Sequence, residues 1–150
     1  MLDQQTFLSV VNNTPLVSID LLVRSGANKL LLGRRVNQPA AGDWFVPGGR
    51  IYKSETLEQA FLRITATELG LAHHLDQARL VGAFTHLYDT NFAGAPGIST
   101  HYVVLGYRLD LNIDPDQLPA QQHSNYCWLG SHDDLSQVHP NSQAYFPFLD

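Results

Sequence analysis

The feature that most constrains the fold is a loop and helix pattern in the stretch WFVPGGRIYKSETLEQAFLRITATELGL, residues 44–71. Gly48 and Gly49 allow the backbone to turn tightly, because glycine has no Cβ. Ser54 is predicted to cap the helix that follows, and Gly70 to end it in a left-handed conformation. The stretch therefore predicts a glycine turn that leads into a helix carrying both acidic and basic side chains.

The segments on either side predict strands and further helices. DQQTFLSVVNN has the apolar spacing of a short amphipathic helix, which Pro15 ends. Residues 16–36 predict a β-hairpin, and RLVGAFTHLY, THYVVLGYRLDL and NYCWL predict three more strands. Short helices are expected near SHDDLSQ and NSQAYF. The predicted fold class is α/β, a mixed β-sheet sandwiched between helices, in one domain of 150 residues.

The distribution of charge indicates a local anion site. The formal net charge of -5 argues against nucleic-acid binding, which usually requires a basic face. Five of the nine cationic residues nevertheless lie between positions 34 and 63. They could be ordinary solvated surface, but Arg35, Arg50 and Arg63 bracket the glycine turn. We therefore expect these three to bind an anionic ligand.

The hydropathy pattern predicts neither a membrane span nor a secretion signal. No segment approaches the ~20 consecutive apolar residues that a spanning helix needs. The N-terminal residues lack a basic region followed by an apolar one. These patterns lead us to expect a cytoplasmic protein that does not bind membranes.

The acidic residues of the central helix suggest a cation site and a brace. Glu68 can present a hard oxygen ligand to a cation that also faces a backbone carbonyl of the glycine turn. Arg63 follows Glu55 by eight residues, just over two helical turns, so the two side chains can share a face. We interpret this pair as a brace between loop and helix, in preference to direct metal ligation by Glu55.

Residues 49–71 resemble the Nudix box, G-x5-E-x7-R-E-U-x-E-E-x-G-U with U apolar. The matching positions are Gly49, Glu55, Arg63, Glu68, Gly70 and Leu71. The chain departs from the pattern at Ile64 and Thr67, where the box carries glutamates, and at Thr65, where it carries an apolar residue. The resemblance implies a single Nudix hydrolase domain over 1–150. The missing acids leave open a non-catalytic member of the fold.

Five further segments resemble one branch of the superfamily, the GDP-mannose mannosyl hydrolases, whose box lacks the same two acids. They are NTPLVSID, LLGRRVNQPAAGDWFVPGGR, THYVVLGYR, QQHSNYCWL and HPNSQAYF. The resemblance implies that water attacks the sugar C1 with inversion and that GDP leaves. The implied substrates are GDP-mannose and GDP-glucose, with one Mg²⁺ per subunit for which Mn²⁺ can substitute. It also implies a homodimer whose first helix, carrying Phe7, is exchanged between subunits.

The resemblance assigns roles residue by residue. Gly48, Glu68 and Gln122 match the metal ligands, and His123 matches the general base, with Arg35 steadying the departing GDP. The residues that match substrate-binding positions are Phe7, Asp20, Arg35, Arg50, Arg63, His86, Tyr88 and Tyr102.

Two other functions stay open at this point. An ordinary Nudix pyrophosphohydrolase would convert the same nucleotide sugar to GMP and sugar 1-phosphate, although the missing acids at positions 64 and 67 count against it. A non-catalytic module would bind the nucleotide sugar without turnover. All three functions have a small-molecule nucleotide sugar as the partner.

Overall fold

The chain folds into a seven-stranded mixed β-sheet with helical segments on both faces. The computed structural model describes residues 2–36, 41–120 and 123–149, with residues 123 and 124 described in their backbone alone. The helices are α1 (Gln4–Asn13), α2 (Leu57–Leu69) and α3 (Pro140–Gln143). The strands are β1 (Leu16–Arg24), β2 (Leu30–Arg35), β3 (Trp44–Phe45), β4 (Gly48–Arg50), β5 (Arg79–Tyr88), β6 (Thr100–Asp110) and β7 (His123–Leu129).

Strand β1 lies at the centre of the sheet. The strand order is β3-β2-β1-β6-β5, with β4 paired to β1 and β7 paired to β2. The β1 and β6 pair is parallel over residues 16–24 and 102–110, and the other pairs are antiparallel. This topology places the glycine turn at β4 directly beside β1.

Two apolar clusters cover the two faces of the sheet. On one face, β1 residues such as Ile19 pack against Phe61 and Ile64 of α2. On the other face, Leu22 packs against Tyr145 and Phe146 of the C-terminal segment. Burial on both faces explains why β1 is almost continuously apolar. The predicted α/β fold, with a mixed sheet between helices, is confirmed.

The start of α2 differs from the prediction. Thr56, not Ser54, is the N-cap: its side chain accepts a hydrogen bond from Gln59 N, and the Gln59 side chain accepts one from Thr56 N. Ser54 lies in the preceding loop with a φ of 73°. Glu55 is held in that loop by other partners, so the helix begins two residues later than the Ser54 cap would require. Gly70 ends α2 with a φ of 79°, as predicted.

The C-terminal third contains one wrong helix prediction. Residues 130–137 form turns, in which Gly130 N and Ser136 N donate to the side chains of Asp133 and Asp134. Such local hydrogen bonds compete with helix formation. The helical turns predicted near NSQAYF are confirmed by α3 and by a 3₁₀ turn at Phe146–Phe148.

None of the helices in the described part of the chain has the length and apolar composition that a membrane span requires.

Candidate active site

A cleft of about 590 Å³ opens between the glycine turn, α2 and the ends of the central strands. Its lining includes ten of the predicted site residues: Phe7, Asp20, Arg35, Gly48, Arg50, Arg63, Glu68, His86, Tyr88 and Tyr102. Gln122 lies outside the described residues. His123 is described only as the first residue of β7, paired with Arg35 of β2, and its side chain lies outside the description.

Glu68 is the box carboxylate in the cleft. Its side chain is buried and accepts a hydrogen bond from Gly48 N at 3.2 Å. Burial raises the pKa of Glu68 to about 7; the Gly48 N–H and the charge of Arg35 oppose this rise, while Asp20 adds to it. The ionised form of Glu68 therefore has little stabilisation from the protein alone.

Asp20 is a second carboxylate in the same cleft. Desolvation raises the pKa of Asp20 to about 7, against the opposing effects of the Tyr145 hydroxyl and Arg35. Its Oδ1 lies so close to the glycine turn that a Cβ added at Gly48 would be only 2.5 Å away. Any larger residue at position 48 would displace the Asp20 carboxylate.

The oxygen atoms around Gly48 suit a hard divalent cation. In an antiparallel pair, the N–H and C=O of one residue point to the same side of the strand. The Gly48 carbonyl therefore faces the side on which its N–H meets Glu68. A cation would relieve the cost of ionising Glu68 and Asp20 in a desolvated cleft. Among the described residues, no group of three His, Cys, Asp or Glu side chains could hold a metal ion, so other oxygens, from carbonyl or amide groups, water or substrate phosphate, would complete the coordination.

Ile64 shows what replaces one missing acid of the box. It is fully buried in the cluster under α2, and a Cβ added at Gly49 would lie 3.1 Å from its Cγ1. The side chain thus packs against the glycine turn and borders the cleft with an apolar group. Thr67, at the other departure, lines the cleft and is exposed.

Glu55 and Arg63 brace the loop that leads into α2. Arg63 Nε donates to Glu55 Oε2 at 2.7 Å, and Arg63 Nη2 donates to Glu55 Oε1 at 2.8 Å and to the Arg50 carbonyl at 2.7 Å. Glu55 Oε1 also accepts from Tyr52 N at 2.6 Å. Both carboxylate oxygens are therefore engaged in the arrangement that we predicted as a brace.

Arg50 lies in an aromatic cluster at the mouth of the cleft. Its guanidinium carbon is 4.4 Å from the centre of the Phe7 ring and 5.0 Å from that of Tyr52. Phe7 in turn contacts Phe92, with ring centres 4.9 Å apart. In this structure α1 therefore packs on the cleft of its own chain. Phe92 was not predicted, because no periodic pattern marks an aromatic residue in the loop DTNFAGAPGIS.

Arg35 lies where the carboxylates and the aromatic residues meet. Its charge lowers the pKa of both Asp20 and Glu68, which places it within electrostatic reach of the two acids. Its guanidinium carbon is also 5.5 Å from the centre of the Phe45 ring. A diphosphate bound in the cleft would contact Arg35 between the carboxylates of Asp20 and Glu68 and the ring of Phe45.

His86 and Tyr88 line the inner wall of the cleft, and Tyr145 lies behind it. His86 is buried, and burial lowers its pKa to about 4, with a smaller contribution from His139. Tyr88 packs edge-on against Tyr102, with ring centres 6.4 Å apart, and burial raises its pKa. Tyr145 donates a hydrogen bond to Asp20 Oδ2 at 2.6 Å. Tyr145 was not predicted as a site residue, although its segment HPNSQAYF belongs to the sequence resemblance.

Comparisons with known proteins agree with this geometry. The NUDIX domain family model matches residues 14–150. The low-salt glycan biosynthesis protein Agl8 of Haloferax volcanii is 36% identical over 143 residues, which cover 95% of this chain and 86% of that protein. The chain therefore belongs to the Nudix family of hydrolases, which confirms the superfamily resemblance seen in the box.

Solved structures show the same fold. A MutT NUDIX hydrolase from Burkholderia pseudomallei matches with a TM-score of 0.70 and 25% identity, over 90% of this chain and 98% of that chain. The NUDIX domain of Shewanella oneidensis NrtR, solved in complex with ADP ribose, matches with a TM-score of 0.65 and 19% identity, over 97% and 96% of the two chains.

Proposed function

We propose that this protein hydrolyses GDP-mannose, and also GDP-glucose, to GDP and free sugar by attack of water on the sugar C1 with inversion. The observation that carries the proposal is that a buried isoleucine occupies position 64, where the Nudix box has a glutamate. Ile64 is buried in the core and packs against the glycine turn. Position 64 of α2 therefore adds no second acid beside Glu68. Attack on phosphorus generally benefits from several cations on the attacking and leaving oxygens, whereas in attack on carbon the cations have only the departing diphosphate to stabilise.

The leaving group is the part of the substrate that this cleft is suited to bind. One Mg²⁺, or Mn²⁺ in its place, would be held by Glu68, the Gly48 carbonyl and Gln122, and would neutralise charge on the diphosphate. Arg35 and Arg50 line the same cleft and can form charge-assisted hydrogen bonds to phosphate oxygens. Arg63 contributes mainly by holding the loop, since its Nε and Nη2 are already engaged.

His123 is the proposed general base. It begins β7 opposite Arg35, so its backbone lies next to a strand that lines the cleft. Among the described residues, His86 also lines the cleft, but a buried imidazole with a pKa of about 4 is a weak base at neutral pH. This contrast supports His123 as the group that accepts the proton of the attacking water.

Two relatives support a nucleotide sugar as the substrate class. The name of the Haloferax volcanii protein assigns it to glycan biosynthesis. The NrtR domain was solved with ADP ribose, in which a sugar is joined to a nucleoside diphosphate. A substrate of the same general construction suits a cleft that combines arginines, carboxylates and aromatic rings.

Isotope labelling tests the proposal directly. GDP-mannose is incubated with the protein and Mg²⁺ in ¹⁸O-labelled water, and the products are identified by mass spectrometry. We expect label in mannose, unlabelled GDP, and β-mannose as the first anomer in proton NMR, because single displacement inverts the centre. Label in GMP or mannose 1-phosphate would identify an ordinary pyrophosphohydrolase. Persistence of GDP-mannose would identify a non-catalytic binding module.

A further inference from the structure

Tyr145 is a fully buried tyrosine of the C-terminal segment, whose hydroxyl contacts two residues that line the cleft, Asp20 and His86. Its ring meets Phe84 edge-on, with ring centres 4.9 Å apart and planes at 86°. On β6, a Cβ added at Gly106 would lie 3.5 Å from the Tyr145 Cε1 atom. These contacts restrict the ring to one orientation. The hydroxyl is therefore held at a fixed point behind the cleft wall.

That fixed hydroxyl determines where the Asp20 carboxylate lies. Tyr145 donates to Asp20 Oδ2 at 2.6 Å, which is the short distance typical of a charge-assisted O–H hydrogen bond. The other oxygen, Oδ1, lies against the glycine turn at Gly48. Asp20 is thus held between a donor from the C-terminus and the loop of the box. Loss of the donor would free the carboxylate to rotate.

The same hydroxyl also restricts His86. Tyr145 Oη lies 3.5 Å from His86 Nε2. A phenol has one O–H proton, which Tyr145 donates to Asp20 when that carboxylate is ionised. At this contact its oxygen can then accept from His86 but not donate to it, which favours the neutral imidazole with the hydrogen on Nε2.

We propose that Tyr145 is a positioning residue of the active site, whose single hydroxyl orients Asp20 and holds His86 in the Nε2–H tautomer. The functional part rests on the proposed function and on the substrate-binding roles that the resemblance implies for Asp20 and His86. The buried hydrogen-bond chain runs from His86 through Tyr145 to Asp20. It connects β5, the C-terminal segment and β1, and it lies outside the box.

The tautomer of His86 tests the hydrogen-bond chain without any substrate. Protein labelled with ¹⁵N-histidine is studied by ¹H–¹⁵N NMR at a pH above 8, with the His86 signals assigned from a His86→Gln sample. We expect the Nε2–H tautomer in the wild type and a mixture of tautomers in Tyr145→Phe. Tyr107→Phe is the matched control, because Tyr107 is also buried but packs against Phe61 of α2. An Nδ1–H tautomer in the wild type, or an unchanged spectrum in Tyr145→Phe, would overturn the proposal.

Kinetics then test whether the position of Asp20 matters for turnover. With GDP-mannose and Mg²⁺, Tyr145→Phe should lower kcat by about 10- to 100-fold, the range expected for one hydrogen bond to a charged group. KM for GDP-mannose and Kd for GDP should change by less than about threefold, because the arginines that bind GDP are untouched. In an Asp20→Asn background the Tyr145→Phe change should have little further effect. Equal losses in kcat and GDP affinity, or losses that add to those of Asp20→Asn, would show a merely structural role.

The two experiments separate this inference from the proposed function. If the wild type leaves GDP-mannose intact, the proposed function fails. The tautomer of His86 still tests the hydrogen-bond chain in that case. If Tyr145→Phe does not fold, the tautomer of the wild type remains decisive. Thermal unfolding of Tyr145→Phe beside Tyr107→Phe shows whether lost stability, rather than lost positioning, accounts for lower activity.

Discussion

Replacement of Glu55 by Gln should destabilise the loop before α2 by a calculable amount. Three donors point at this carboxylate, two from Arg63 and one from Tyr52 N. Glutamine has one acceptor oxygen, so an NH₂ group would face at least one of these donors. Loss of a hydrogen bond to a charged group costs about 1.5–3 kcal/mol, and the 31% exposure of the Arg63 side chain reduces this. We expect the free energy of unfolding to fall by about 2 kcal/mol.

Thermal denaturation measures this loss. For 150 residues, an unfolding entropy of about 2.1 cal/mol/K per residue converts about 2 kcal/mol into a Tm decrease of about 6 °C. Glu58→Gln is the matched control, since Glu58 is exposed in the first turn of α2, and it should change the free energy by no more than about 0.5 kcal/mol.

The Glu55–Arg63 pair also predicts how the stability of the protein depends on pH. The hydrogen bonds from Arg63 lower the pKa of Glu55 below its ordinary value. The stability that Glu55 contributes is therefore present above its unfolded pKa of about 4.3 and is lost as the pH falls through the folded pKa. The Tm difference between wild type and Glu55→Gln should be constant at pH 6–8 and should shrink below about pH 4. A difference that persists in acid, or that is absent at neutral pH, would refute the brace.

The remaining predictions concern the chemistry of the cleft. Glu68→Gln should lower kcat/KM by at least about 100-fold, or about 2.7 kcal/mol of transition-state stabilisation, in assays over a range of Mg²⁺ concentrations; near-full activity at low Mg²⁺ would exclude Glu68 as the ligand. In the wild type, kcat should rise with pH through one ionisation near the ordinary histidine pKa of ~6.5. His123→Gln should lose this limb together with most of the rate, and an unchanged profile in the variant would place the base elsewhere.

Local patterns predicted those parts of the site that local geometry determines. The spacing from Gly49 to Glu68 places one acid of α2 beside the glycine turn, and the structure has the Gly48 N–H bonded to Glu68. The eight-residue spacing of Glu55 and Arg63 likewise predicted their contact. In both cases one residue lies on α2 and the other in the turn or loop that leads into it, so the contact forms within one loop-helix unit.

The features that could not be predicted from the sequence depend mostly on contacts between residues far apart in the chain. Tyr145 and Asp20 are 125 positions apart, and no pattern in either segment specifies their hydrogen bond. The parallel pairing of β1 with β6 also depends on the whole topology. The wrong helix cap has a local origin, because Ser54 and Thr56 are both good N-caps. The pairing of Glu55 with Arg63 keeps position 55 in the loop and selects Thr56.

The loss of two box acids fits the balance of charge in this cleft. Glu55 already offsets Arg63, and desolvation raises the pKa values of Asp20 and Glu68 to about 7. A further glutamate at position 64 would introduce another charge into a fully buried position, where ionisation costs several kcal/mol unless a cation compensates it. Isoleucine removes that requirement and packs against the glycine turn instead. A cleft with Glu68 as its one box carboxylate therefore needs fewer cations to reach neutrality, and the charges of Arg35 and Arg50, which line the same cleft, can balance a departing diphosphate.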